Sequence, residues 1–171
     1  MKIIRPPFNT FPNLKSHRLN LREVLESDLE HLIEISFYDG IPAKDIKDAQ
    51  TMNERIRQDY MSSDSVHWLI SSVESGEILG TCGFYRGFQK DIGEIGYVLK
   101  KAHRGKGYMS EAISLALAFG WIVLGLKAIR GVTSKNNLSS MNILKKAGFK
   151  ELEIIDDEIL LQIMNPTSLS S

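Results

Sequence analysis

The chain lacks several features that would assign it to particular classes of protein. It has one cysteine, Cys82, in 171 residues, so no disulfide can form within the chain. No apolar run approaches the ~20 residues that a membrane span needs, and residues 1–12 lack the apolar centre of a signal peptide. The four histidines show no metal-binding spacing such as His-Glu-x-x-His. We therefore expect no metal, no membrane partner and a cytoplasmic location.

An excess of charge of either sign is also missing. The 21 lysines and arginines balance 21 aspartates and glutamates, which gives a formal net charge of zero. General attraction to nucleic acid or to an anionic membrane rests on excess positive charge, so we expect no nucleic-acid partner. With 43% hydrophobic residues, the chain can bury one proper core. We see no repeat or linker and predict a single domain over residues 1–171, with its core at about 14–164.

The most informative stretch is Lys101–Ala112, between a strand-like run at Ile92–Leu99 and an apolar, helix-like run at Ala112–Leu124. Gly105 and Gly107 let the backbone turn tightly and approach a ligand closely. Backbone amides at the start of a helix bind anions, phosphate above all. Five basic side chains surround the turn, namely Lys100, Lys101, His103, Arg104 and Lys106. Together these features predict a pyrophosphate cradle.

Two common phosphate-binding motifs do not fit this turn. No stretch of the chain supplies the Gly-x-x-x-x-Gly-Lys-Ser/Thr of a Walker loop. A dinucleotide fingerprint needs a third glycine where Ser110 stands, and an acid about 20 residues further on, whereas Leu126–Val132 contains none. Both mismatches count against an ATP- or NAD-binding protein, which stays open as an alternative that ligand titration would decide.

Three segments together resemble the GCN5-related N-acetyltransferase (GNAT) superfamily. Arg104-x-x-Gly107-x-Met109 is similar to the Arg/Gln-x-x-Gly-x-Gly/Ala pattern that holds the acetyl-CoA pyrophosphate in that family. Ser16–Arg22 resembles the opening strand of its RimJ/RimL branch, and Asn137–Phe149 resembles the branch's N-x-x-S-x-x-v-L-x-K-x-G-F element. The segments occur in family order, and the resemblance covers roughly residues 14–163.

The resemblance implies an α/β (α+β) fold, with a mixed, mostly antiparallel, splayed sheet of about six to seven strands flanked by about four helices. Gly93 and Gly96 lie inside the predicted central strand Ile92–Leu99, and glycine inside a strand pattern suggests a bulge or a close ligand. The superfamily splays its sheet at this strand. We therefore expect the coenzyme in a split between Ile92–Leu99 and Leu126–Thr133.

The resemblance also implies which residues bind acetyl-CoA, the cosubstrate. They are Val98, Leu99, Arg104, Gly105, Lys106, Gly107, Tyr108, Met109, Asn137 and Ser140. The backbone of the glycine turn holds the pyrophosphate, and the main chain of Val98 and Leu99 meets the pantetheine amides as an added strand would. Met109 departs from the family's small residue, so we expect its side chain either to point away from the cradle or to narrow it.

Acetyl transfer needs a neutral amine and a stabilised or protonated thiolate. Glu94 is the leading candidate for the base, with an ordinary surface ion pair as its alternative role and Glu158 as the runner-up. The family often places a tyrosine where this chain has Leu144. RimJ/RimL-type proteins instead have a serine at the place of Ser140, so the resemblance implies a hydroxyl near the sulfur, although a hydrogen bond to nearby backbone is its simpler role. Asn137 similarly either contacts the pantetheine arm or only caps its helix.

These features predict an acetyl-CoA-dependent N-acetyltransferase that moves the acetyl group directly to a primary amine. A protein N-terminal α-amino group, as in ribosomal-protein acetylation, is the first candidate acceptor. A small-molecule amine and a non-catalytic acetyl-CoA-binding protein stay open as alternatives. Cys82 lies in an apolar strand and is expected to be a buried hydrophobe, not a nucleophile. Both a monomer and a homodimer are compatible with the sequence.

Overall fold

The computed structural model describes residues 3–169 of the chain. In chain order its elements are β1 (Leu14–Lys15), β2 (Leu19–Arg22), β3 (Phe37–Tyr38), β4 (Ile41–Pro42), α1 (Ile46–Met61), β5 (Val66–Ser72), β6 (Ile78–Tyr85), β7 (Ile92–Leu99), α2 (Tyr108–Ile122), β8 (Ala128–Ser134), α3 (Leu138–Lys146), β9 (Lys150–Ile155) and β10 (Glu158–Met164). Short 3-10 helices occur between several of these elements. Within residues 3–169, no helix is long and apolar enough to cross a membrane.

Eight strands form one sheet in the order β1-β2-β5-β6-β7-β8-β10-β9, and β3 and β4 form a separate hairpin. Every neighbouring pair in the large sheet is antiparallel except β7 and β8, which run parallel. The predicted fold class, a mostly antiparallel mixed sheet flanked by helices, is confirmed. The sheet has one strand more than the upper prediction because the two residues of β1 also pair with β2.

The sheet is split at β7. This strand pairs with β8 only where Ile92–Glu94 faces Ala128–Arg130. From Ile95 to Leu99, the edge of β7 that faces β8 therefore has no ladder bonds. On its other edge, β7 pairs with β6 in one continuous register from Glu94 to Leu99. The predicted split is confirmed, and it starts three residues into the strand.

The two glycines of β7 serve side-chain packing. A Cβ atom at Gly93 would lie 2.7 Å from a methyl carbon of Leu126, and one at Gly96 would lie 3.0 Å from the ring of Tyr85. The register of β7 with β6 runs from Glu94 to Leu99 without a shift, so Gly96 forms no bulge in that pairing. Glycine is needed where neighbouring side chains pack against bare backbone.

One face of the central strands carries the main core. Trp68, Phe84 and Ile95 are buried on this face against α2. The Trp68 ring meets Phe119 edge-on with 5.2 Å between centroids, and its Nε1 donates to the Pro12 carbonyl at 2.7 Å. Full burial of a large apolar side chain contributes about 1.5–3 kcal/mol to folding. Trp68 is therefore a core residue.

The opposite face of β5–β7 is covered by α1 and by two 3-10 helices, Glu26–His31 and Ile33–Ile35. Ser27 followed by Asp28 and Glu30 is a sequence typical of the start of an α-helix, whereas the chain forms these tighter turns. The Asp28 carboxylate accepts two hydrogen bonds from Arg22 at 2.8 and 2.9 Å, which tie the first turn to the end of β2. The segment still buries an apolar stripe, formed by Leu29, Leu32 and Ile35. A cavity lies between this cover and the sheet.

Candidate active site

The glycine turn leads from β7 into α2. Gly105 and Gly107 have φ angles of 77° and 78°, which favour glycine, and Gly107 is the N-cap of α2. Within the part of the chain that the structure describes, no group accepts a hydrogen bond from the backbone amides of residues 105–110. Free amides at the start of a 15-residue helix suit a bound phosphate. The geometry therefore fits the pyrophosphate cradle that the sequence predicts.

The five basic side chains predicted to surround this turn, here called the basic collar, are not all free to bind an anion. Lys100 lies 3.7 Å from a carboxylate oxygen of Glu34, and the His103 imidazole lies 3.2 Å from that of Glu77. Three predicted collar residues have no ion-pair partner within residues 3–169, namely Lys101, Arg104 and Lys106. These three exposed cations are the ones that remain available to an anion.

Arg18 braces the turn from the start of the chain. Its guanidinium bonds to the Glu111 carboxylate at 2.7 Å, donates to the Lys106 carbonyl at 3.0 Å and lies 4.6 Å above the Tyr108 ring. Ser16 also donates to Glu111. Burial would raise the pKa of Glu111, but the bonds from Ser16 and Arg18 outweigh it and lower that pKa. The sequence analysis missed this role of Arg18 because no local pattern links residues 93 positions apart.

The structure shows where three of the residues predicted to bind the coenzyme lie, namely Val98 and Leu99 on β7 and Met109 on α2. The Met109 side chain is only 2% exposed and packs in the core, so it points away from the cradle. The Val98 side chain lines the cavity, while Leu99 packs against the core. The main chain of both residues lies on the stretch of β7 that β8 leaves unpaired. Their contact with the pantetheine arm stays a prediction.

The cavity beneath the 3-10 cover has a volume of about 750 Å³. Small-molecule sites commonly measure ~300–1,000 Å³. Its wall includes the segment from Glu94 to Val98 on β7 and also Val132 on β8. Because both sides of the split contribute to the wall, the cavity opens into the split. A ligand in the cavity and a ligand in the split would therefore meet at β7.

Acids outnumber bases on the cavity wall. Its titratable side chains, His67 and the tyrosines aside, are Asp39, Asp59, Asp64, Glu94 and Arg86. Glu94 and Arg86 are 3.3 Å apart with side-chain exposures of 32% and 64%, so their attraction is weak. Glu94 therefore lies on the cavity wall and also makes an ion pair, and its role as the base stays a prediction. Glu158, the runner-up base, is exposed at the start of β10 and does not line the cavity.

His67 and Tyr85 form part of the cavity wall that the sequence analysis missed. His67 Nδ1 and Tyr85 Oη share a short hydrogen bond. Burial lowers the pKa of His67 to about 4, which keeps the imidazole neutral at pH 7, and raises the pKa of Tyr85 well above its usual value. The alternation of side chains along the strands could have identified these two residues from the sequence, because it places both on the same face of the sheet as Glu94.

The neutral His67 makes stability depend on pH. The unfolded imidazole binds a proton near pH 6.5 and the folded one only near pH 4, so between these values the unfolded state holds more protons. The free energy of unfolding should therefore fall as pH falls, by about 2 kcal/mol between pH 7.5 and pH 5. Urea denaturation at the two pH values measures this drop.

A matched pair of variants isolates the contribution of His67 to that pH dependence. His67→Gln removes the titrating group and should flatten the drop, whereas His17→Gln, at an exposed position, should leave it as in the wild type. Equal unfolding free energies for the wild-type protein at both pH values would contradict the assignment.

The first turn of α3 faces the split from the β8 side. The Asn137 side chain accepts from the Ser140 amide at 3.1 Å, so Asn137 is the helix cap, and its amide group is left to donate elsewhere. The Ser140 hydroxyl lies 2.8 Å from the hydroxyl of Tyr97 on β7. Leu144, where the family often has tyrosine, is 1% exposed and belongs to the core. The structure thus brings Ser140 to a tyrosine that sequence reasoning did not select.

Cys82 is fully buried in β6, and burial raises its pKa to about 12. The thiol is therefore protonated at neutral pH and inaccessible to a coenzyme in the split. This agrees with the expected role of a small buried hydrophobe. Direct attack by the amine needs no contribution from Cys82.

Known proteins match the chain at the level of sequence. The acetyltransferase (GNAT) domain matches residues 18–150. The uncharacterized N-acetyltransferase YoaA of Bacillus subtilis (strain 168) is 32% identical over 149 residues, which cover 82% of this chain and 84% of YoaA. The uncharacterized N-acetyltransferase p20 of Bacillus licheniformis is 30% identical over 152 residues, which cover 84% and 85% of the two chains.

Solved structures share the fold at low identity. A Vibrio cholerae protein proposed to be a ribosomal-protein-serine acetyltransferase superposes with a TM-score of 0.79 at 14% identity, covering 95% of this chain and all of the other. The dodecameric spermidine N-acetyltransferase from the same organism gives 0.73 at 17%, with 91% and 98% covered. The domain match and the two sequence relatives show that the chain belongs to the GNAT acetyltransferase superfamily.

Proposed function

We propose that this chain transfers the acetyl group of acetyl-CoA directly to a primary amine that binds in the acidic cavity. Acetyltransferase activity of the GNAT type follows from the family. The acceptor, the site residues and the order of events are our proposal. The observation that carries it is the opening of the cavity into the split, because this connection lets an amine reach a thioester held along β7.

The binding of acetyl-CoA uses backbone more than side chains. The free amides of the glycine turn take the pyrophosphate, with Arg104 and Lys106 beside it. The unpaired stretch of β7, including Val98 and Leu99, takes the pantetheine amides as an added strand would. Residues on both walls of the split therefore fit the cosubstrate, and the thioester lies between β7 and the first turn of α3.

Glu94 takes the proton of the acceptor amine in this proposal. An ammonium has no lone pair, so the amine must lose a proton before it attacks. Glu94 lies on the cavity wall at the point where the split begins, which puts a carboxylate between acceptor and thioester. A water molecule in the cavity can carry the proton over the remaining distance. The amine then attacks the thioester carbonyl and the sulfur leaves.

Two classes of acceptor are consistent with the fold. A protein N-terminal α-amino group has a pKa near ~7.7–8.0, against ~10.4 for a lysine, and so needs less help from a base. This favours the RimJ/RimL-type reading of the sequence. A small di- or polyamine is the second candidate, and the acidic wall favours it because Asp39, Asp59 and Asp64 can each meet a further ammonium group.

An acceptor screen with matched variants tests the proposal. Release of the CoA thiol is measured with peptides that carry a free α-amino group, with the same peptides after N-terminal acetylation, and with di- and polyamines. If a polyamine is the acceptor, Asp64→Asn should raise its KM several-fold, while Glu54→Gln on the outer side of α1 should not. Saturable acetyl-CoA binding without turnover of any amine would instead support a non-catalytic acetyl-CoA-binding protein.

A further inference from the structure

Tyr97 forms a hydroxyl pair with Ser140 at the mouth of the split. The two oxygens are 2.8 Å apart, and Tyr97 Oη also lies 3.2 Å from the Ser140 carbonyl oxygen. Tyr97 is on β7 and Ser140 is in the first turn of α3, so this contact bridges the gap left where β7 and β8 stop pairing. Tyr97 belongs to the cavity wall where β7 borders the split, and its side chain packs against the main core. The pair therefore stands where the cavity meets the split.

A serine hydroxyl alone is a poor acid for a departing thiolate. A phenol has a pKa near ~10, much closer to the ~8.5 of an ordinary thiol. Where relatives often carry a tyrosine, this chain has the buried Leu144, whose methyl carbon lies 2.9 Å from where a Cβ of Gly131 would stand. Leu144 thus packs into the space that Gly131 leaves open, and the nearby phenol comes from β7 instead.

We propose that Tyr97 and Ser140 act together as a proton relay to the sulfur that leaves during acetyl transfer, an inference that rests on the proposed function. As the amine nitrogen bonds to the acetyl carbon, the carbon–sulfur bond breaks and its electron pair goes to sulfur. Ser140 gives its hydroxyl proton to sulfur and takes the hydroxyl proton of Tyr97. The proton lost by the amine then returns to the Tyr97 oxygen through the cavity, so the products are an amide and a neutral thiol.

Burial raises the pKa of Tyr97, against the opposing effect of its bond with Ser140, so the phenol carries its proton before the reaction. Two features of the surroundings favour the transfer of this proton. The hydrogen of Tyr97 can point to the Ser140 carbonyl or to the Ser140 hydroxyl, which lets the bond reverse when the sulfur becomes an acceptor. The N-terminal end of the nine-residue α3 also favours negative charge near its first turn.

The pKa of the thiol of bound CoA tests the relay without any turnover. The ultraviolet absorbance of the thiolate is followed against pH for CoA bound to the wild-type protein, to Tyr97→Phe and to Ser140→Ala. Loss of a hydrogen bond to the sulfur should raise the pKa of the bound thiol by about one unit in either variant. Tyr85→Phe, which removes a phenol from the cavity wall at a different place, should leave the pKa of the bound thiol unchanged. An unchanged thiol pKa in Tyr97→Phe would overturn the relay.

A double-mutant cycle with acetyl-CoA and an identified acceptor supplies the kinetic test. Each single variant should lower kcat about 10- to 100-fold, with little change in the KM for acetyl-CoA. The double variant should be no slower than the slower single variant, because the two groups act as a unit. If the kcat losses of the two single variants multiplied in the double variant, the proposal would be overturned. A weaker affinity for CoA with an unchanged kcat would also overturn it, because that result indicates a purely structural contact between β7 and α3.

The two experiments separate failure of the relay from failure of the proposed function. If the wild-type protein bound CoA with its thiol pKa unaffected by Tyr97→Phe, only the relay would fail. If the wild-type protein did not bind CoA at all, the proposed function and the relay would fail together.

Discussion

Replacing Gly107 with aspartate should strongly weaken the binding of acetyl-CoA. Gly107 is the N-cap of α2 with φ near 78°, and the neighbouring amides are free for a phosphate. A carboxylate at about 4 Å from the pyrophosphate would cost roughly 4 kcal/mol at an effective dielectric constant of about 20. The Kd measured by calorimetry should therefore rise by about three orders of magnitude.

Backbone strain alone should not produce this loss. Aspartate adopts positive φ at three other positions of this chain, Asp39, Asp91 and Asp156, so a folded Gly107→Asp protein is expected. Gly107→Asn has a similar shape without the charge and should weaken binding much less. Gly76→Asp, in the β5–β6 turn at φ 73° with open space around it, reports the folding cost of such a change away from the site. An unchanged affinity in folded Gly107→Asp would place the cradle elsewhere.

The second large effect is expected from Glu94→Gln, which keeps the shape of the side chain and removes the base. At about pH 6 most acceptor amine is protonated, and turnover should fall about 100-fold. The difference in turnover between Glu94→Gln and the wild type should become smaller as pH approaches the pKa of the amine itself, near ~7.7–8.0 for an α-amino group. More of the amine is then already neutral and needs no base. Profiles of kcat/KM against pH for variant and wild type measure the difference.

Arg86 provides the matched control for Glu94. Arg86→Gln removes the ion-pair partner but leaves the carboxylate in the cavity, so turnover should change far less than in Glu94→Gln. Affinity for acetyl-CoA should be retained in both variants. Full activity of Glu94→Gln at every pH would move the base elsewhere, and Glu158→Gln is then the next variant to measure.

The secondary structure was predictable where strong local signals agreed. β7 has the predicted bounds, Ile92–Leu99, because a turn precedes this run and the basic Lys100 and Lys101 follow it. The cap of α3 at Asn137 and its end before Gly148 also follow from local chemistry. The region after Ser27 differs, since contacts of Asp28 with Arg22 and with the Leu25 amide organise tighter turns than an isolated helix would have.

Side-chain partners were far less predictable. The basic residues around the glycine turn look equivalent in the sequence, yet Glu34 and Glu77 approach two of them from other elements. Gly96 reads as a bulge or ligand contact, yet the ring of Tyr85 from the neighbouring strand fills the space. Such contacts depend on which strands lie side by side, and strand order is a property of the whole sheet.

The sequence by itself determined the family, the glycine turn, the central strand and the expectation of acetyl-CoA, because each depends on residues adjacent along the chain. Only the tertiary structure joined Arg18 to Glu111 and Lys106, joined Tyr97 to Ser140, and lined one cavity with acids from α1, β7 and the loops. Those contacts link residues tens of positions apart. They form only when burial of the common core brings the segments together, so no local pattern encodes them.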